Sequence, residues 1–173
     1  MSRLRRLVLP DRFFFVTCRL SEGRRPLAEA EFAVLASVID ARRRKYRFLL
    51  TAWVLLPDHW HAIISPRHPV TISRVMEAVK VGSTLRINGA RGENGLLWQG
   101  RFFDRALRIV KEYHEKVGYI HQNPVRADLV TRAEDWAWSS VHEYTGTVRA
   151  AATPHPILRI DRVLLPADSA ARL

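Results

Sequence analysis

Cysteine is almost missing from this chain. Cys18 is the one thiol in 173 residues, so no internal disulfide can brace the fold, and the composition suits a reducing cytoplasm. Cys18 reads as a small buried residue on a strand rather than a nucleophile. Long apolar runs are missing too: none approaches the ~18 residues that a membrane span needs. The basic start, with Arg3, Arg5 and Arg6, leads into Pro10-Asp11-Arg12 rather than into the apolar core of a signal peptide. No segment repeats. Acidic residues are few beside basic ones, 17 Asp and Glu against 28 Lys and Arg, for a formal net charge of +11. Most of the excess is arginine, whose planar fork suits bidentate phosphate contacts. A polyanionic partner follows, with nucleic acid the commonest kind.

What is present is enough apolar sequence for one domain with a sizeable core, and one stretch on which the rest depends. Thr51 to Ser65 reads TAWVLLPDHWHAIIS. Two apolar runs flank Pro57-Asp58, a pair that favours a tight turn, so the stretch reads as a β-hairpin. Side chains alternate along a strand, which points His59 and His61 to one face and Trp60 into the core. Two imidazoles about 7 Å apart along a sheet face can hold one metal ion.

Arg12 to Leu20 is rich in aromatic and β-branched residues and reads as a first strand. From Leu27 to Tyr46 the spacing of Phe32, Leu35, Ala36 and Ile39 is helical, ending in Arg42, Arg43, Arg44 and Lys45. Arg47–Leu56 and His59–Ser65 are the hairpin strands. Thr71 or Ser73 caps a second helix that runs to about Asn88, followed by a flexible loop over 89–95. Leu96 to Ile109 reads as a fourth strand, with Arg101, Phe103 and Arg105 on one face. Lys111 to Gln122 is a last clear helix, expected to end near Asn123 because Pro124 disfavours helical geometry in the residue before it. A turn and a short amphipathic segment then pack Trp136 and Trp138. The fold class is α+β: a ferredoxin-like split βαβ with an antiparallel four-stranded sheet, helices on one face and one appended helix. Residues 1–146 form the single domain and 147–173 a loosely attached tail.

Four segments in this order, LLPDHWHAIIS, WQGRFFDRALR, YIHQNPVRADLV and DWAWSS, resemble the REP-associated tyrosine transposases. These are single-tyrosine members of the HUH nuclease group related to the small insertion-sequence transposases that act on single-stranded DNA. The resemblance is collinear from about Phe13 to Gly146. It implies that His59 and His61 are metal ligands around Trp60, that Tyr119 is the catalytic tyrosine two positions before the His-x-Asn-Pro segment, and that Asn123 is a third ligand. Helical spacing agrees, since residues i and i+4 share a face. Relatives often carry a histidine after the aspartate of the fourth strand, where this chain has Arg105.

The implied chemistry is metal-dependent cleavage and rejoining of single-stranded DNA bearing a REP-like palindromic hairpin, through a covalent 5′-phosphotyrosine. A mixed set of nitrogen and oxygen donors suits Mn²⁺ or Mg²⁺. Lys80, Arg101, Arg105 and Arg108 are the first candidates for DNA contact, and Arg42, Arg43, Arg44 and Lys45 the second. The resemblance favours a monomer over a dimer, in the bacterial cytoplasm at the nucleoid. Taken without the resemblance, the residues leave another reading open, in which Tyr119 is a core aromatic and the histidines are hydrogen-bonded sheet residues. The protein would then be a non-catalytic module that binds hairpin DNA or RNA.

Overall fold

The computed structural model describes residues 12–147 and 158–173. In chain order they form β1 (Phe14–Arg19), α1 (Glu29–Tyr46), β2 (Leu49–Leu55), β3 (His59–Ser65), α2 (Ile72–Arg91), β4 (Phe103–Ala106), α3 (Val110–Arg126), a 3-10 turn (Ala133–Asp135) and a short α4 (Val141–Thr145). The four strands make one antiparallel sheet in the order β2-β3-β1-β4, the ferredoxin-like arrangement. Among the described residues no helix is long and apolar enough to cross a membrane.

Alternation along the strands sorts the core into two layers. Phe14, Val16 and Cys18 of β1 and Trp60, Ala62 and Ile64 of β3 enter a large apolar layer under α1 and α2. Phe15 and Ile63 enter a smaller cluster on the other face, against Tyr113, Val117 and Ile120 of α3. β2 needs a bulge to serve both. Its register on β3 passes from Leu50↔Ile64 to Ala52↔Ile63, leaving Thr51 as the extra residue. Parity therefore switches there. Leu50, Trp53 and Leu55 join the large layer, while Ala52, Val54 and Leu56 join the small one.

Three element boundaries differ from the sequence pattern, each for a tertiary reason. α2 starts after Thr71, whose hydroxyl accepts the Arg74 N–H at 3.2 Å, but it continues past Asn88 to Arg91. There the Arg91 guanidinium meets the Glu31 carboxylate of α1 at 2.6 and 2.7 Å. Gly92, at φ 65°, closes the helix in the left-handed region that suits glycine. The expected long fourth strand is in fact short. Leu97 and Trp98 are buried, and the Trp98 indole N–H donates to Ser83 Oγ at 2.8 Å. Trp98 makes only an isolated bridge to Leu20, and the ladder to β1 begins at Phe103. α3, finally, runs through Pro124 to Arg126 rather than ending near Asn123. Pro124 is buried in the last turn, where a missing N–H removes one bond while Ala127 and Leu129 still donate to the carbonyls of Asn123 and Pro124.

The DWAWSS segment lies beside β2. Leu55 N–H donates to the Trp138 carbonyl, Ser140 N–H to that of Trp53, and the Trp136 indole to that of Leu55, all at 2.9 Å. Of the expected tail over 147–173, residues 148–157 lie outside the described residues. Leu158 is buried in the large layer. Asp161 accepts from the Leu50 N–H at 2.9 Å and pairs with Arg43 at 2.6 Å. Val110 and Lys111 donate to the carbonyls of Ala171 and Ser169. The chain from 158 onward thus runs from the start of β2 to the start of α3.

Candidate active site

His59 and His61 stand on the α3 side of β3, and Trp60 is buried on the other. The two imidazoles lean together edge to face, with centroids 4.7 Å apart. Each has its Nδ1 occupied. The Asp58 carboxylate lies 2.6 Å from Nδ1 of His59, and the Thr17 hydroxyl 2.8 Å from Nδ1 of His61. Thr17 reaches it because the β1–β3 register sets Thr17 opposite His61. Such outer partners fix the tautomer and ring orientation of a ligating histidine, leaving Nε2 for the metal. His61 is 3 % exposed. Burial first, then the neighbouring His59, lowers its pKa to about 3, so the ring stays neutral near pH 7 with a lone pair to offer.

α3 carries the other half. Tyr113, Val117 and Ile120 bury one stripe of it against the sheet, and polar contacts fix its position: His121 Nε2 lies 2.9 Å from Ser140 Oγ, and Tyr144, 3.3 Å from the Tyr113 hydroxyl, donates to the Thr51 carbonyl at 2.7 Å. This leaves Tyr119 half-buried, its ring edge-on to Phe15 at 5.7 Å and to His61 at 5.4 Å. One turn on, the buried Asn123 amide stands 3.2 Å from His61 Nε2. The extension of α3 through Pro124 keeps Asn123 inside the helix rather than at a frayed end. Tyr119, Asn123, His61 and His59, named separately in the sequence, therefore form one cluster. Tyr113 is 3 % exposed and engaged with Tyr144, and His121 is turned toward Ser140.

Among the described residues no three of His, Cys, Asp and Glu gather as a metal site. The structure sets the Asn123 amide nitrogen, Nδ2, against His61 Nε2; with the amide turned over, its oxygen would join the two imidazole Nε2 atoms as a donor set. That set fits a divalent ion of the Mn²⁺ or Mg²⁺ kind, with Asp58 and Thr17 already in the supporting positions.

The cations named from sequence divide between the two sides of the sheet. Arg105 faces the site side, opposite Phe15 in the β1–β4 register, and pairs with Glu112 at 2.8 Å. Phe103, opposite Thr17, is 57 % exposed beside it. Arg101 and Arg108 are exposed on either side of β4 in sequence. Lys80 instead donates to the carbonyls of Gln99 and Gly100 at 2.6 and 2.9 Å. Arg42 packs its guanidinium over Gly82 of α2. Arg43 and Arg44 pair with Asp161 and Asp40, and Lys45 lies over the Tyr46 ring. These last belong to the α1–α2 side and are not gathered at the tyrosine.

Sequence reasoning missed Thr17, Lys116 and Arg126. The Lys116 ammonium lies 4.8 Å from the Phe15 ring centroid and 5.2 Å from that of Tyr119, and the Arg126 guanidinium 5.0 Å from Tyr119. Helical spacing of three and seven residues from Tyr119 was the available signal for the two cations. Thr17 could be found only from the strand register.

A family model described as "Transposase IS200 like" matches residues 20–123. The chain is 32% identical over 143 residues to the REP-associated tyrosine transposase of Escherichia coli K12, covering 82% of this chain and 84% of that one. A solved REP-associated tyrosine transposase bound to a REP hairpin matches with a TM-score of 0.74 and 28% identity, covering 95% of this chain and all of that one.

Proposed function

This chain belongs to the IS200-like transposase family, among its REP-associated tyrosine transposases, and from that premise we propose that it cleaves and rejoins single-stranded DNA carrying a REP-like hairpin, with Tyr119 as nucleophile. The observation that carries the reading is the convergence of Tyr119 and Asn123 of α3 on His61 and His59 of β3.

The Tyr119 oxygen attacks the scissile phosphorus in line. A bond forms between that oxygen and phosphorus as the bond to the 3′ oxygen breaks, and the tyrosine proton is lost to solvent. The departing 3′ oxygen ends as a hydroxyl, and the 5′-phosphate stays on Tyr119. Attack by a 3′-hydroxyl reverses these steps, so strand transfer needs no ATP, because the phosphodiester energy is conserved in the covalent adduct. His59, His61 and Asn123 would hold one divalent ion, which when bound polarises a phosphate oxygen as a Lewis acid. The remaining work falls to the chain itself: Phe15 and His61 fix the tyrosine ring, while Asp58 and Thr17 fix the imidazoles.

The hairpin bound by the structural relative supports a hairpin as substrate here, and the net charge supports a nucleic-acid partner. Arg101, Arg105 and Arg108, around β4, would contact a strand entering the site, a reading supported by Arg105 and Phe103 on the site side of β4. Lys80 and Arg42 to Lys45 would meet parts of the DNA further from the cut. The protein works as a monomer in the bacterial cytoplasm, at the nucleoid.

Labelled hairpin-bearing single-stranded DNA with Mn²⁺ tests the reading. Wild type should form a covalent adduct that survives denaturation, and Tyr119→Phe should form none while still binding the hairpin. An adduct on Tyr119→Phe, or none on wild type with Mn²⁺ or Mg²⁺, would leave a hairpin-binding module as the better account.

A further inference from the structure

Four side chains of α3 lie on one stripe. Lys116, Tyr119, Asn123 and Arg126 are separated by three, four and three residues, which confines them to an arc of about 80° around an ideal helix. Two are cations, and both lean on the tyrosine. Neither has a carboxylate partner among the described residues. The nearest acid on the same stripe, Glu112, is engaged by Arg105 at 2.8 Å and by the Arg108 N–H at 2.8 Å. Lys116 is half-buried between the rings of Phe15 and Tyr119. Arg126 is exposed, so its fork is open to a ligand from solvent. Some cations elsewhere are matched, Arg91 by Glu31, Arg24 by Glu93 and Arg43 by Asp161, and Lys80 is held by two carbonyls; Lys116 and Arg126 differ in lying against the tyrosine ring.

Two unmatched cations against one tyrosine are suited to an anion arriving at its hydroxyl. We propose that Lys116 and Arg126 bind the non-bridging oxygens of the scissile phosphodiester, holding it against Tyr119. As the tyrosine oxygen bonds to phosphorus and the 3′ oxygen departs, charge builds on those oxygens, where preorganised donors contribute most. Arg126 offers the planar fork that phosphate takes in bidentate fashion, and Lys116 a point charge from the other end of the stripe. This inference rests on the reading of Tyr119 as nucleophile.

Two measurements on the full chain separate its failure from failure of that reading. The first is single-turnover adduct formation at saturating hairpin DNA, for Lys116→Met and Arg126→Met. Loss of one such donor should slow adduct formation by about 10²-fold at saturating DNA, beyond whatever affinity is lost. Lys116→Arg should recover most of the rate. Wild-type rates in both methionine variants, with wild type active, would overturn the proposal. The second measurement needs no chemistry. In Tyr119→Phe protein with EDTA, strands carrying an ordinary or a neutral methylphosphonate linkage at the scissile position are compared for binding. The charged linkage should bind more tightly, and adding Lys116→Met and Arg126→Met together should abolish that preference. An undiminished preference would overturn the proposal even if Tyr119 is the nucleophile. If Tyr119→Phe itself formed an adduct, the nucleophile reading would fall, while the binding comparison would still show whether these two cations touch that phosphate.

Discussion

The two faces of the sheet are built from the same strands and used in opposite ways. Toward α1 and α2, β1 and β3 present only apolar groups and Cys18, whose thiol burial pushes up to about 12, leaving it inert. Toward α3, the same strands present Phe15 and Ile63 near the packed stripe of the helix, and Thr17, His59 and His61 near its tyrosine. Buried polar groups are costly unless they are hydrogen-bonded. On this face the histidines meet that condition through Asp58, Thr17 and Asn123. The larger apolar layer thus lies on one side of the sheet and the candidate site on the other, with adjacent residues of β3 belonging to different sides.

Adjacent substitutions give the sharpest test. His59→Ala should abolish cleavage and adduct formation and leave thermal stability nearly unchanged, because it removes a ring from the site and little from the core. Trp60→Ala, one residue on, should cost about 3–5 kcal/mol by opening a cavity under α1 and α2, read as a lower denaturant midpoint, and the fraction that stays folded should still react. Removal of divalent ions with EDTA should reproduce the His59→Ala phenotype in wild type while hairpin binding persists. A large stability loss for His59→Ala, or full cleavage in EDTA, would break the division of labour between the faces.

A smaller effect tests whether charge on the α1–α2 side is structural. Arg91 and Glu31 are nearly buried and bonded to each other. The Arg91 hydrogen bond chiefly holds the Glu31 carboxyl below its usual range. A carboxylate with a depressed folded pKa adds stability above its unfolded value, near 4.5, and that stability is lost as the pH falls through the lower folded value. Arg91→Met should therefore cost about 2 kcal/mol at neutral pH, and its deficit should shrink as the pH drops below about 4.5. Adduct formation should be unaffected. A deficit that stayed constant with pH would assign the loss to packing rather than to the ion pair.

Local pattern made most of this arrangement legible. The Pro57-Asp58 turn and strict alternation gave the bounds of β3 and the opposed directions of His59 and Trp60, and helical spacing put Tyr119 beside Asn123. What escaped depends on partners distant in sequence. Leu97 and Trp98 look like strand residues, yet they bury in the α2 layer because Ser83 receives the indole. The helix continues past Gly89 because Glu31 waits for Arg91. Pro124 is a stop signal by local geometry, overridden in a buried last turn. The pairing of Thr17 with His61 exists only once β1 and β3 are in register.

The smallest expected effect asks which face the DNA follows. Around β4, Arg101 is exposed and Arg105 is paired with Glu112; at the end of α1, Arg43 and Arg44 are already matched by Asp161 and Asp40. Affinity alone would mislead, since Arg105→Gln also frees the Glu112 carboxylate to repel phosphate. The salt dependence is cleaner, because each phosphate neutralised releases condensed counterion, with a slope of roughly 0.7 per contact for a single strand. Replacing Arg101 and Arg105 together by glutamine should lower the slope of log affinity against log salt by about one to two. Replacing Arg44 and Lys45 should lower it by less. If the second pair produced the larger change and the first none, the strand would run along the α1–α2 side, and that face would bind DNA as well as stabilise the fold.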